Sequence, residues 1–130
     1  MLGLRKPDDD ALLGDAKSPF AVRTGLKLVS ADAGRATATL RVNRDSLNQA
    51  STVDSDTISA LVQATAAAAA GGDRRDLSDI YITFVRPAPE HPLTADARVV
   101  RQEGHLHSCE VEVRDWDGGL VAKALLNYRF

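Results

Sequence analysis

A nearly uncharged segment in the middle of the chain constrains the fold more than any other feature. Residues 47–72 read LNQASTVDSDTISALVQATAAAAAGG, so a polar turn leads into an apolar run that ends at two glycines. Apolar and small side chains recur at helical spacing there, which predicts a helix over residues 57–70. A helix that is apolar on every side must be covered by other structure. One amide, Gln63, lies in the middle of this helix and needs a hydrogen-bond partner, because an unpaired buried amide is costly.

Both ends of this helix carry specific signals. Asp54, Ser55 and Asp56 precede it, and a side-chain oxygen at that position accepts the unpaired backbone N–H groups of the first turn. A carboxylate there also meets the positive end of the helix dipole. Gly71 and Gly72 follow the last alanine and allow the left-handed backbone that ends many helices. The sequence therefore predicts the helix together with its two boundaries.

Size, charge and cysteine content narrow the classes of function. The chain has 130 residues, which is enough for one packed core and too few for two. A formal net charge of -2 and a pI near 5.9 offer no general attraction for nucleic acid or anionic membranes. No apolar run is long enough to cross a bilayer, and the single cysteine, Cys109, permits no internal disulfide. We therefore expect a cytoplasmic protein with no nucleic-acid or membrane partner.

The remainder of the chain has the pattern of β-structure. Residues 26–32 and 35–42 alternate on either side of a short turn and predict a β-hairpin. Four further strands are predicted over residues 77–86, 93–102, 106–115 and 120–129. Proline and glycine turns separate them, so the helix is expected between a hairpin and a four-strand meander, in the order β-β-α-β-β-β-β. We divide the chain into an N-terminal leader with a short helix, residues 1–17, and a single domain, residues 18–130.

This order of elements predicts an α+β fold. Consecutive hairpins produce a mainly antiparallel sheet, and the long helix must lie against it. The expected architecture is a curved sheet of about six strands wrapped around one central helix. One sheet cannot cover a helix that is apolar all round, so the remaining face predicts contact with a second copy of the chain. We expect a homodimer or a dimer of dimers.

Five segments share their position and character with one known family: SPFAVRTGLKLV, the turn that contains Asn48, SALVQATAAAAA, YITFVRPAP and DWDGGLVAKALLNYRF. They resemble the hotdog-fold acyl-CoA thioesterases, in particular the phenylacetate-pathway type. Together they place the resemblance over residues 18–130. The resemblance implies the hotdog fold, hydrolysis of an acyl- or aryl-CoA thioester at a site between subunits, and no cofactor.

The catalytic motif departs from the pattern of these enzymes. They usually carry an Asn, a His-Gly-Gly turn six residues later, and an acidic residue nine residues after the His. By resemblance, Asn48 matches the Asn, residues 54–56 occupy the turn as Asp-Ser-Asp, and Gln63 occupies the acidic position. An amide neither accepts a proton near neutral pH nor forms an acyl intermediate, so the usual mechanism is not available to this chain.

A substitute mechanism uses the residues at the start of the helix. The backbone N–H of Ser55 or Asp56 would donate to the oxyanion, with Asn48 as a second partner of the carbonyl. Asp54 or Asp56 would act as the base that activates water, and Gln63 would orient the water or the substrate. The competing interpretation is that Asp54 and Asp56 only cap the helix and that Asn48 is a turn residue.

By resemblance, the strand that follows the helix runs beside the active helix, so further substrate contacts are expected on this strand and at the helix start. The predicted substrate-binding residues are Thr57, Tyr81, Thr83 and Arg86. Sheet packing is the alternative for Tyr81 and Thr83, and an ordinary solvated surface is the alternative for Arg86. His105 and His107 are spaced as two metal ligands would be but lack a third, so we predict no metal site.

Two functions of different classes are consistent with these patterns. The first is a thioesterase that hydrolyses an acyl-CoA, weakly because of the altered motif. The second is a catalytically inactive hotdog module that binds acyl-CoA or a small apolar ligand. A hydratase ranks last, because the resembling hydratases carry a close Asp and His pair ahead of the helix and this chain has none there.

Overall fold

The predicted order of elements is confirmed by the computed structural model, which describes residues 25–42, 47, 52–71 and 76–129. In chain order the elements are β1 (Leu26–Asp32), β2 (Arg35–Leu40), α1 (Ser55–Ala69), β3 (Asp76–Phe84), β4 (Leu93–Glu103), β5 (Leu106–Arg114) and β6 (Leu120–Arg129). One helix lies against a six-stranded antiparallel sheet, so the predicted hotdog architecture is also confirmed. The predicted leader helix of residues 1–17 and the candidate residue Asn48 lie outside the described residues.

The turn between β1 and β2 explains why the hairpin forms at its predicted position. Ala33 and Gly34 both adopt a positive φ, 48° and 80° respectively. Two consecutive residues of that kind make the turn whose twist matches that of the flanking strands. Glycine tolerates this backbone without cost, whereas alanine is strained there. Ala33 is the one non-glycine residue with a positive φ in the described part of the chain.

Helix α1 begins and ends where the sequence predicts. Asp54 is the N-cap, Ala70 is the C-cap, and Gly71 follows with a φ of 102°. The side chains of α1 are buried over most of its circumference, Leu61 and Val62 completely so. Apart from exposed Ser55 in the first turn, the exception is a stripe of exposed and half-buried residues at helical spacing, which we call the open stripe: Asp56, Ser59, Ala60 and Gln63.

The order of strands in the sheet corrects one sequence prediction. The order is β1-β2-β4-β5-β6-β3, so only β4, β5 and β6 form a meander. β3 pairs with β6 at the far edge and not with β4, its neighbour in sequence. The connection of residues 85–92 carries three of the chain's five prolines, cannot form a tight hairpin, and crosses the domain. Ala88, within that connection, is buried and accepts a hydrogen bond from the Val53 N–H at 2.8 Å.

Helix and sheet leave one region of the inner surface without cover. α1 packs mainly on β2, β4 and β5, and less closely on β1 and β6. The residues of β3 that share its inner face are half-buried Ile80 and Ile82 and exposed Phe84. The open stripe of α1 and this face of β3 both retain exposed surface that the described helix and strands do not cover. No helix among the described residues combines the length and the apolar content that a membrane crossing requires.

Candidate functional site

A cleft of about 580 Å³ opens where the first turn of α1 meets the end of β3. One wall is formed by residues 52–55 with Ile58, and the other by residues 84–88. The hydrogen bond from the Val53 N–H to the Ala88 carbonyl joins the two walls. Most of the lining side chains are apolar, and the two charged ones are Asp54 and Arg86. The cleft thus combines an apolar lining with a few polar groups, which is the usual composition of a small-molecule site.

The helix start presents a carboxylate and a backbone donor to this cleft. The Asp54 carboxylate accepts a hydrogen bond from the Asp56 N–H at 3.1 Å. The N–H groups of Thr57 and Ile58 donate to the Asp54 carbonyl at 3.0 and 3.2 Å. No described residue accepts a hydrogen bond from the Ser55 N–H. The sequence suggests the N–H groups of Ser55 and Asp56 as oxyanion donors. Only the Ser55 N–H is available to a ligand, because the Asp54 carboxylate already accepts a hydrogen bond from the Asp56 N–H.

On the opposite wall, the turn between β5 and β6 holds Arg86 in place. Its Nη2 donates to Asp115 Oδ2 and lies 3.7 Å from Asp117 Oδ1. The Asp115 side chain is 2% exposed and that of Arg86 is 40% exposed. Asp115 Oδ1 also accepts from the N–H groups of Asp117 and Gly119, at 3.3 and 3.2 Å.

These contacts keep Asp115 in its charged form. Hydrogen bonding from Asp117 and then from the Arg86 guanidinium lowers the pKa of Asp115, and this outweighs burial, which raises it. A charged carboxylate with few exposed atoms is a fixed anchor for a guanidinium. The remaining surface of Arg86 faces solvent at the mouth of the cleft.

Other predicted catalytic residues lie apart from the cleft. Asp56 and Gln63 both belong to the open stripe of α1 and do not line the cleft of their own chain. Gln63 is nine residues beyond Asp54, which corresponds to about 13 Å along the helix axis. Among the described residues, none forms a hydrogen bond with the Gln63 side chain. The structure therefore brings Asp54 and Ser55 together with Arg86, but not with Gln63.

Three of the four predicted substrate-binding residues do not line the cleft. Thr57 is buried inside the domain. Tyr81 and Thr83 lie opposite Leu125 and Lys123 of β6 and share with them the outer face of the sheet, away from α1. They line a separate shallow groove of about 390 Å³ there. Only Arg86 lines the cleft beside the helix start.

The sequence did not single out the residues of the β5–β6 turn. Asp115 and Gly119 position Arg86, and Trp116 lies between them in sequence with its side chain 66% exposed. The signal that was available is the run DWDGG, which places an exposed aromatic residue and two carboxylates in a tight turn. The described residues contain no group of three or more His, Cys, Asp or Glu side chains arranged to hold a metal ion.

Comparison with known proteins identifies relatives of this architecture. A family model described as the thioesterase superfamily matches residues 57–122, just over half of the chain. AziG from S. sahachiroi is 28% identical, with 86% of this chain and 95% of that chain covered and a TM-score of 0.78. The TT0310 protein from Thermus thermophilus is 25% identical, with 88% and 99% covered and a TM-score of 0.77.

A third protein of known structure, like the two above, is similar to this chain in fold. The E. coli PaaI protein from the phenylacetic acid degradation operon is 23% identical, with 91% of this chain and 94% of that chain covered and a TM-score of 0.81. At this identity the likeness supports the fold alone. The comparison with curated protein sequences finds no match.

Proposed function

The chain belongs to the thioesterase superfamily, and we propose that it hydrolyses the thioester of an acyl- or aryl-CoA in the cleft at the start of α1. The observation that carries this proposal is that Asp54 and Ser55 both line an apolar cleft, and that no described residue accepts a hydrogen bond from the Ser55 N–H. Hydrolysis needs a donor for the carbonyl oxygen and a base for the attacking water. Both kinds of group lie side by side there.

The proposed reaction assigns one role to each group. The thioester carbonyl oxygen accepts a hydrogen bond from the Ser55 N–H, which is also the positive end of the helix dipole. Asp54 takes a proton from a water molecule whose oxygen attacks the carbonyl carbon. The tetrahedral intermediate then collapses and the C–S bond breaks. The thiolate leaves and takes the proton held by Asp54, directly or through water, which regenerates the Asp54 carboxylate. The apolar lining of the cleft accommodates the acyl or aryl group.

A low rate is expected from this arrangement. The Asp54 carboxylate already accepts a hydrogen bond from the Asp56 N–H, so one of its oxygens is engaged at the helix end and is not free to hold a water molecule. Its charge also opposes the negative charge that develops on the carbonyl oxygen. The proposed enzyme is therefore a weak thioesterase compared with relatives that carry an acidic residue at the position of Gln63.

We further propose that the complete site is formed between two copies of the chain. Gln63 lies about 13 Å along the helix from Asp54, so it cannot reach the cleft of its own subunit. The open stripe that carries Gln63 and the inner face of β3 are both incompletely covered. A partner that pairs its own β3 edge with this one would cover both, and would bring its Gln63 toward this cleft. An unpaired edge strand with apolar side chains favours such pairing.

The alternative function is binding of acyl-CoA without hydrolysis. It is favoured by one specific observation, namely that no described residue forms a hydrogen bond with the Gln63 amide, at the position where the resembling enzymes carry an acid. An amide donates and accepts hydrogen bonds and so recognises a thioester or its carbonyl without reacting. In either case we propose a cytoplasmic protein, since a reducing compartment suits a chain whose one cysteine can form no internal disulfide.

A panel of acyl- and aryl-CoA thioesters tests the proposal. Release of CoA is followed with a thiol reagent, and the protein contributes little background because Cys109 is buried. Turnover with any member of the panel supports hydrolysis. Micromolar binding by calorimetry without turnover supports the binding module, and neither binding nor turnover contradicts both.

A further inference from the structure

We propose that Arg86, His91 and Trp116 bind the nucleotide end of coenzyme A, and we call these three side chains the nucleotide platform. The inference rests on the proposed function, because it concerns the part of the same substrate that the cleft does not hold. The expected ligand is the adenine ring with its ribose and phosphate groups. The acyl group would lie in the cleft beside Asp54, and the pantetheine arm would connect the two.

An aromatic surface for the adenine ring is already present. The rings of Trp116 and His91 lie with centroids 5.2 Å apart at an angle of 54°. The Trp116 side chain is 66% exposed, although an indole is among the side chains that gain most from burial. Hydrogen bonds across the turn, from the Asp115 N–H to Gly119 and from the Gly118 N–H to Asp115, fix the backbone on both sides of Trp116. An exposed indole on a turn with a hydrogen-bonded backbone is a stacking surface for a base.

The position of Arg86 connects this surface to the cleft. Arg86 lines the cleft, and its guanidinium contacts Asp115, the residue before Trp116. Asp115 engages only Nη2, so the other donors of the planar group remain for a second anion, such as a phosphate. A ligand that extends from the cleft along Arg86 would therefore approach the turn that carries Trp116.

Gly119 provides the space that Arg86 occupies. A Cβ placed on Gly119 would overlap Arg86 Nη2, far inside contact distance. The backbone of Gly119 does not have a positive φ, so glycine is not required there for conformational reasons. Its lack of a side chain admits the guanidinium, and Asp115 and Gly119 act together as positioning residues for Arg86.

The carboxylate of Asp117 lies close to Arg86, which leads to a specific prediction for a substitution of Asp117. Its carboxylate is exposed and lies 3.7 Å from Arg86, so it would repel a phosphate bound to the same guanidinium. Asp117→Asn keeps an oxygen that can accept from the Gly119 N–H, as Oδ1 does now at 3.0 Å. This substitution should therefore tighten nucleotide binding, whereas Arg86→Gln and Gly119→Ala should weaken it.

Calorimetric titration of the full-length protein with coenzyme A, adenosine 3′,5′-bisphosphate and pantetheine tests the platform. Trp116→Ala should weaken binding of the first two on the order of ten-fold, as base stacking predicts, and leave pantetheine binding unchanged. Trp116→Phe should retain most of the affinity. Because Trp116 is the only tryptophan of the chain, quenching of its fluorescence by the bisphosphate should report the same affinity. Thermal unfolding of each variant controls for changes in folding.

The results separate this inference from the proposed function. If the protein binds or hydrolyses acyl-CoA and acyl-pantetheine, and Trp116→Ala changes neither affinity, the platform is wrong and the thioester site stands. Binding of adenosine 3′,5′-bisphosphate without any change in Trp116 fluorescence also contradicts the platform. If 5′-ADP binds as tightly as coenzyme A, the platform recognises free nucleotides and its assignment to coenzyme A is wrong. If the wild-type protein binds none of these compounds, both proposals are wrong.

Discussion

The two roles of Asp54, helix cap and catalytic base, can be separated by a pair of substitutions at that position. Asparagine is as good an N-cap as aspartate, because its side-chain oxygen can accept the same hydrogen bond from the Asp56 N–H. It cannot take a proton from water. Alanine removes both functions. Asp54→Asn therefore isolates the loss of the base, and Asp54→Ala adds the loss of the cap.

The expected magnitudes differ for stability and for turnover. Losing the 3.1 Å capping hydrogen bond in Asp54→Ala should cost about 1 kcal/mol of unfolding free energy. For a chain of this length that corresponds to a fall of about 4 °C in the midpoint of thermal unfolding. Asp54→Asn should leave the midpoint within about 1 °C. A general base contributes roughly 100-fold or more to kcat, so both variants should lose turnover to that extent.

Two measurements are needed. The first is the midpoint of thermal unfolding at fixed protein concentration, and the second is kcat with the best acyl-CoA substrate. Asp56→Asn is the matched comparison, since its carboxylate is exposed on the open stripe and does not line the cleft. The kcat of Asp56→Asn should stay within about two-fold of the wild-type value, whereas loss of a general base lowers kcat roughly 100-fold or more. Turnover by Asp54→Asn equal to that of the wild type would show that Asp54 is only a cap. Loss of turnover in Asp56→Asn alone would move the base to Asp56.

Four further predictions concern backbone strain, assembly, acid stability and the altered motif. Ala33→Asn should raise the unfolding free energy by about 1 kcal/mol, because asparagine tolerates the positive φ of that turn better than alanine; a lower unfolding midpoint by denaturant titration would contradict it. Phe84→Glu, on the inner face of β3, should convert a dimer to a monomer in light scattering, whereas Thr83→Glu, on the outer face, should not; equal masses for the two variants would refute pairing through this face. The pKa of Asp115 is lower in the folded protein than the ordinary aspartate value of 3.8. The charged carboxylate therefore stabilises the fold above pH 3.8, and this contribution is lost as the pH falls through the lowered pKa. Asp115→Asn should therefore destabilise the protein at neutral pH but progressively less below pH 3.8 in denaturant titrations, and a constant difference across this range would be inconsistent with the ion pair. Gln63→Glu should raise kcat toward that of an enzyme with the usual acid, if the partner's helix supplies this side chain to the cleft; unchanged kcat would argue against a shared site.

Local patterns in the sequence were sufficient to predict the elements. The change from a two-residue to a helical period, the Asp54 cap and the glycines after residue 70 defined α1 within a residue or two. Strand boundaries followed from turn residues, because turn chemistry depends on a few neighbouring residues. Local patterns identified Asp54 only as a helix cap; the helix start became a candidate site through the resemblance to the hotdog thioesterases, and the structure has a cleft there.

Only the tertiary structure decided which elements meet. Periodicity shows that β3 is a strand but not that it pairs with β6 instead of β4, since strand partners depend on connections and hydrogen-bond registers that span the domain. This pairing brings Arg86 to Asp115, 29 residues away in sequence, and it directs Tyr81 and Thr83 to the outer face. Likewise, the sequence could not choose between the N–H groups of Ser55 and Asp56, because that choice depends on which one the Asp54 carboxylate engages. A sequence of residue types contains the local preferences, whereas contacts between distant segments arise only when the whole domain packs.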